Sequence, residues 1–185
     1  MNALNPVIIL LAAFVAVYFE SSFSWFRSLF GAQIDLLPPL MVYASLTSGI
    51  ITVTVLSIIG GLLFDSLSAN PLGVSVLPLF LIGYAIHRFH GLLLREQLYA
   101  QFAFGAGASL LTPLFTLLVL LSGDTNPLVG WGNVWQFLVI AISGGLLTPV
   151  CFVILDRLSR ALNYQPVAQV AFRPDREIKR SRGKL

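Results

Sequence analysis

The 185-residue chain is 57% hydrophobic and only 10% charged, and its mean hydropathy is +0.87. Soluble domains are typically about 25% charged, so this chain has too few charged side chains to cover a soluble domain. Disordered chains are poor in apolar residues, which excludes disorder as well. The composition therefore predicts an integral membrane protein.

Asp, Glu, Lys and Arg are missing from five long stretches of the chain: 1–19, 36–64, 66–87, 97–123 and 125–155. The apolar runs are continuous rather than alternating, which favours transmembrane helices over a β-barrel. We therefore predict an all-α fold, a compact transmembrane helical bundle over residues 1–172 with a basic tail at 173–185.

In chain order, the first run is predicted to be a retained helix, because no basic residue precedes its apolar core as in a signal peptide. The run 36–64 would be about 44 Å long as a helix, too long for one span and too short for two. Thr47-Ser48-Gly49 interrupts it and Pro38-Pro39 breaks its start. We predict two segments there, about 34–47 and 50–67, the first short or irregular. Each of the other four runs is predicted to hold one span, about six in all.

The distribution of Lys and Arg predicts the orientation of the bundle. The tail carries six basic and two acidic side chains, a net charge of +4, and is predicted to be cytoplasmic. With six segments the N-terminus is cytoplasmic too, whereas a single span at 36–64 would place it outside; the basic residues do not decide between the two. The tail's basic side chains are candidates for contact with an anionic lipid surface or a cytoplasmic protein, or are solvated topology anchors: Arg173, Arg176, Lys179, Arg180, Arg182 and Lys184.

Asp65 is the charged residue most deeply embedded among apolar residues. An acid within a membrane segment suggests a partner or pathway role. Because Asp65 lies near the end of a predicted span, a structural turn with Ser66, Ser68 and Asn70 is the favoured interpretation. Glu20, Asp35 and Asp65 are all predicted on the outer side, as interfacial charges rather than a cation site.

No metal, cofactor or enzyme site is predicted. His87 and His90 share a helix face, but no further His or Cys lies near, so solvated histidines are favoured over a metal site. The chain has no nucleophile elbow, P-loop or metalloprotease motif. Small residues four apart predict close helix packing: Ser57/Gly61, Gly105/Ser109 and Ala141/Gly145.

Residues 33–84 contain an ordered set of short motifs. A short apolar segment ends in Val42-Tyr43, and a second ends in Gly-Leu-Leu-Phe-Asp at Gly61 to Asp65. Pro71-Leu72-Gly73 follows, and the next span holds Gly83-Tyr84. This order resembles the rod shape-determining protein MreD family, most clearly from Asp65 to Gly73. Elsewhere the resemblance is limited to length, span layout and the basic C-terminus.

The resemblance implies a non-catalytic subunit of the cell-elongation machinery in the bacterial inner membrane, with no cofactor and no nucleic-acid partner. It implies direct binding of the bitopic protein MreC, association with the RodA glycosyltransferase and its penicillin-binding transpeptidase, and an indirect link to MreB. It also implies a six-helix bundle similar to the substrate-binding subunits of vitamin transporters. The candidate partner-binding or structural residues are Gly60, Gly61, Asp65, Asn70, Pro71, Gly73, Gly83 and Tyr84.

A small-molecule binding subunit of a transporter is the alternative function. It would require a pocket with converging polar groups, and the predicted spans offer few hydroxyl side chains. These are Thr52, Thr54, Ser109, Thr112, Thr116, Ser143 and Thr148.

Overall fold

The computed structural model describes residues 4–22, 31, 34–68, 71–89, 97–122 and 131–162. This part of the chain is all-helical, as predicted, and contains no strand. Its six helices are α1 (Leu4–Ser22), α2 (Leu37–Thr47), α3 (Ile50–Leu67), α4 (Val76–Phe89), α5 (Leu98–Ser122) and α6 (Trp131–Leu162). The basic tail and Asn70 lie outside the described residues.

Four of these helices are long and apolar enough to cross a membrane, namely α1, α3, α5 and α6. Large apolar side chains are exposed on their outer faces, such as Leu11, Phe14, Val15 and Tyr18 on α1. Such extensive apolar exposure is rare on a monomeric soluble protein but is what lipid-facing helices require. The structure is thus consistent with the predicted multi-pass membrane protein.

The ambiguous run 36–64 forms two helices, α2 and α3, joined through Ser48 and Gly49 as predicted. The run 66–87 differs from the prediction of one full span. Its helix, α4, starts only at Val76 and has 14 residues, or about 21 Å. The reason is that the turn containing Pro71-Leu72-Gly73 occupies the first part of the run.

Helix α2 is the centre of the bundle and packs against all five other described helices. Its 11 residues are about 16 Å long, too short to cross a bilayer, and nine of them are buried. Burial at its start is tolerated because Pro38 and Pro39 have no N–H to satisfy. The Asp35 carboxylate accepts the Leu37 N–H at 2.9 Å, and the Leu40 N–H bonds to Leu36 O at 3.2 Å.

Successive helices run in opposite directions, so the bundle has two ends. The Asn5 end holds Asn5 and Ser159, whose hydroxyl donates to Asn5 Oδ1 at 2.6 Å. The Asp65 end holds the turn between α3 and α4. Both ends of the described chain, residues 4 and 162, therefore lie at the Asn5 end.

Helices α5 and α6 cross closely through small residues. A Cβ on Gly105 would meet Thr148 Cβ at 2.6 Å and Gly144 O at 2.8 Å, and a Cβ on Gly144 would overlap Ser109. The predicted pair Gly105/Ser109 thus lies at the crossing. Its partners on α6 are Gly144 and Thr148. The predicted Gly145 also packs against α5, since a Cβ there would lie 2.9 Å from Phe102 and 3.1 Å from Ala106.

We expect Gly105→Ala to destabilise the protein by about 1–3 kcal/mol, because the backbones of α5 and α6 would have to separate. Gly107→Ala is the matched control, since a Cβ there meets nothing within 4 Å. The control should be neutral or stabilising by up to about 1 kcal/mol, as Ala is the better helix former. Melting temperatures in detergent measure both, and equal effects at the two positions would contradict the close crossing.

Candidate functional site

Asp65 binds the turn that follows its own helix. Its side chain is 1% exposed. Oδ2 accepts the N–H groups of Gly73 at 2.8 Å and Ser75 at 3.1 Å, and Oδ1 accepts the Ser75 hydroxyl at 2.6 Å. The carboxylate thereby fixes the end of α3 to the start of α4.

The partners of Asp65 differ from the sequence prediction. The Ser66 hydroxyl donates to Leu63 O instead, and Ser68 donates to the main-chain oxygen of Asp65 rather than to its carboxylate. These serines lie on the last turn of α3 and just after it, whereas Gly73 and Ser75 return to the carboxylate from the far side of the turn. Asp65 is buried within the protein, so its carboxylate does not lie on the outer surface.

The backbone of the turn depends on Gly73, whose φ of +90° favours glycine. Its carbonyl accepts the Val76 N–H at 3.3 Å, which leads directly into α4. Pro71 is exposed, and Leu72 at the tip is 70% exposed. The turn therefore has a fixed inner side and an apolar outer side.

Three predicted glycines are internal packing positions. A Cβ on Gly60 would lie 3.1 Å from Leu37, and one on Gly61 would lie 2.9 Å from Val76 Cα. A Cβ on Gly83 would lie 2.7 Å from Met41 Sδ. These glycines let α3 and α4 approach each other and α2, so they shape the site without forming its outer surface.

Tyr84 is the member of the predicted set that faces outward from α4. It is 48% exposed and its ring stacks on Phe80 with centroids 6.0 Å apart. Leu77 and Leu81 are also exposed and precede it by seven and three residues. Side chains at this spacing share one helix face, so α4 presents an apolar stripe of Leu77, Leu81 and Tyr84.

A cavity of about 230 Å³ lies at the Asp65 end, beside the start of α2. Glu20 and Asp35 line it, together with the side chains of Ser75, Thr112 and Thr116 and several apolar residues. Burial raises the pKa of Asp35 from 3.8 to about 6, against the opposing effect of the Leu37 N–H. Glu20 and Asp35 were predicted to be interfacial charges, and nothing in the sequence pattern indicated that they line one cavity.

A second polar cluster at the Asn5 end was also missed. The Tyr43 hydroxyl donates to Asp156 Oδ1 at 2.9 Å, and the Tyr43 ring meets Phe152 edge to face at 4.9 Å. His87 is half-buried with Nδ1 3.0 Å from Ser45 O, so it is not the solvated histidine that was expected. His90 lies outside the described residues. Among the described residues, no three His, Cys, Asp or Glu side chains lie close enough together to hold a metal ion.

Together, the fold and these sites are consistent with a class, the multi-pass helical membrane protein with a short central helix. Comparison of the chain with family models, curated proteins and solved structures finds no match in any of the three.

Proposed function

We propose that the chain is a non-catalytic scaffold subunit of the bacterial cell-elongation complex, of the MreD type. In this proposal it lies in the inner membrane with both termini in the cytoplasm and binds MreC directly. RodA and its penicillin-binding transpeptidase associate with it, and MreB acts through them. The observation that supports this most is that the motifs of residues 33–84 meet in one structural unit, formed by α2, α3 and α4.

The contacts of that unit suit a docking surface. Asp65 and Gly73 fix the turn, while the glycines hold α3 and α4 against the central helix. Leu72 and the α4 stripe are left outside at the surface of this fixed unit. A rigid apolar helix face at this spacing is what a partner helix packs against. We assign the stripe to the transmembrane helix of MreC.

We expect the triple variant Leu77→Ala, Leu81→Ala, Tyr84→Ala to lose at least about tenfold in recovered MreC. Truncation of an interface anchor often costs more than about 1 kcal/mol, and about 1.4 kcal/mol is tenfold in affinity. The measurement is quantitative mass spectrometry of what co-purifies with the tagged chain from its native membrane in mild detergent.

The matched control truncates a stripe on α6 that is equally exposed, through Ile142→Ala, Leu146→Ala and Val150→Ala. It should leave MreC recovery unchanged. The proposed surface is wrong if both triple variants recover MreC equally. Failure of the wild-type chain to enrich MreC, RodA or the transpeptidase would overturn the proposed function itself.

The alternative, a small-molecule binding subunit of a transporter, is favoured by the cavity at the Asp65 end. Thr112 and Thr116, two of the few hydroxyl side chains in the spans, line it beside two carboxyl groups. Co-purification of an ATPase pair in place of MreC would support this function. So would a small molecule retained by the purified wild-type protein and lost from a Thr116→Phe variant, in which the larger side chain fills the cavity.

A further inference from the structure

A cleft of about 640 Å³ lies at the Asn5 end, between the start of α5 and the last turns of α6. It is separate from the Asp65 turn, the α4 stripe and the cavity beside α2. Its walls are formed by Leu98, Gln101, Phe152, Val153, Asp156, Arg157 and Arg160.

The charged side of the cleft is basic. Arg157 and Arg160 are both exposed, and Arg157 forms no ion pair with any described residue. Arg160 donates through Nε to the main-chain oxygen of Asp156 at 3.1 Å. The Asp156 carboxylate accepts the Tyr43 hydroxyl at 2.9 Å and so is held toward the core. Two guanidinium groups against one such carboxylate leave the cleft with a net positive charge.

The other side of the cleft is apolar. Leu98 is 64% exposed and Val153 is 49% exposed. Leu98 is the first residue of α5 and Val153 lies nine residues before the end of α6, and both helices are long enough to span a membrane. An occupant must therefore satisfy two guanidinium groups and cover an apolar wall within the same cleft.

Guanidinium groups bind phosphate oxygens through paired hydrogen bonds, and the start of helix α5 adds a favourable dipole for an anion. We propose that this cleft binds the phosphate of an anionic membrane phospholipid. Arg157 and Arg160 contact the phosphate, and Leu98 and Val153 contact the first part of an acyl chain. The apolar wall favours a lipid over a soluble phosphate compound. This inference does not depend on the proposed function.

The test is native mass spectrometry of the purified full chain with equal amounts of phosphatidylglycerol and phosphatidylcholine. We expect preferential retention of phosphatidylglycerol. The double variant Arg157→Gln, Arg160→Gln should reduce retention by at least about tenfold, since two charge-assisted contacts are lost. Val153→Trp should reduce it as well, because the larger side chain covers part of the apolar wall while both arginines stay.

The matched control is Arg88→Gln, which removes an exposed basic side chain of α4 at the same end of the bundle, outside the cleft. It should retain phosphatidylglycerol as the wild type does. If retention of phosphatidylglycerol falls equally in this control, the lipid is attracted by the overall positive charge of this end, and the proposed site is wrong. Unchanged retention in the double variant, equal retention of phosphatidylcholine, or displacement of the lipid by inorganic phosphate would each overturn it too. If Val153→Trp fails to fold, the double variant and its control decide the question.

Discussion

Asp65→Ala should lower the melting temperature by about 10 °C. The change removes the acceptor of three hydrogen bonds and leaves the Gly73 and Ser75 donors without it, Ser75 being only 2% exposed. Losing hydrogen bonds to a charged group and leaving buried N–H donors without an acceptor together lower the free energy of unfolding by about 3–5 kcal/mol. For a chain of this size, about 1 kcal/mol corresponds to about 2–4 °C. The single cysteine, Cys151, is partly buried in α6, so a thiol-reactive dye can follow unfolding.

Asp65→Asn separates the hydrogen bonds of this side chain from its charge. An amide can turn its oxygen toward the two main-chain N–H groups and its NH₂ toward the Ser75 hydroxyl oxygen. We therefore expect a loss well below that of the alanine variant. Ser75→Ala removes one hydroxyl bond and should cost about 1–2 kcal/mol. If the alanine variant has the same melting temperature as the wild type, the role of Asp65 in the turn is wrong.

The same pair of variants tests how Asp65 relates to the proposed binding of MreC. Because the carboxylate is buried, a partner can respond to it only through the shape of the turn and of α4. We expect Asp65→Asn to recover MreC nearly as well as the wild type, and Asp65→Ala to lose it along with stability. Loss of MreC in a fully stable Asp65→Asn protein would instead indicate that the charge itself acts on the partner.

Features carried by neighbouring residues were predictable from the sequence. Ser48 and Gly49 interrupt an apolar run, and the break between α2 and α3 falls there. The apolar run lengths likewise predicted α1, α5 and α6. The start of α4 was missed because the turn after Asp65 consumes much of its run. Its extent depends on hydrogen bonds from Gly73 and Ser75, and these cannot be identified without the geometry of the turn.

Features that join distant parts of the chain were not predictable. Tyr43 and Asp156 are 113 residues apart, and nothing near either residue indicates the other. Glu20 and Asp35 lie at the ends of different segments, and only the packing around α2 brings them to one cavity. At the α5–α6 crossing, Gly105, Ser109 and Gly145 were predicted, but Gly144 and Thr148 were missed because several small residues of α6 fit the spacing.

The half-buried Asp35 predicts a pH dependence of stability. Its pKa is raised from 3.8 to about 6, so between these values the folded protein binds more protons than the unfolded chain. Stability should therefore fall as pH rises through this window and level off above about pH 6. A shift of about two pKa units corresponds to at most about 3 kcal/mol.

Asp35→Asn removes this dependence while its amide oxygen can still accept the Leu37 N–H. At pH 8 the variant should melt above the wild type by up to about 8 °C, since the wild type must keep a half-buried carboxylate ionised. At pH 4 the two proteins should melt within about 2 °C of each other, because the folded wild type is then protonated there. Glu20→Gln is made for comparison, because Glu20 is the other carboxyl group lining the cavity. If Glu20→Gln abolishes the pH dependence and Asp35→Asn leaves it intact, the titrating group is Glu20 and the assignment to Asp35 is wrong.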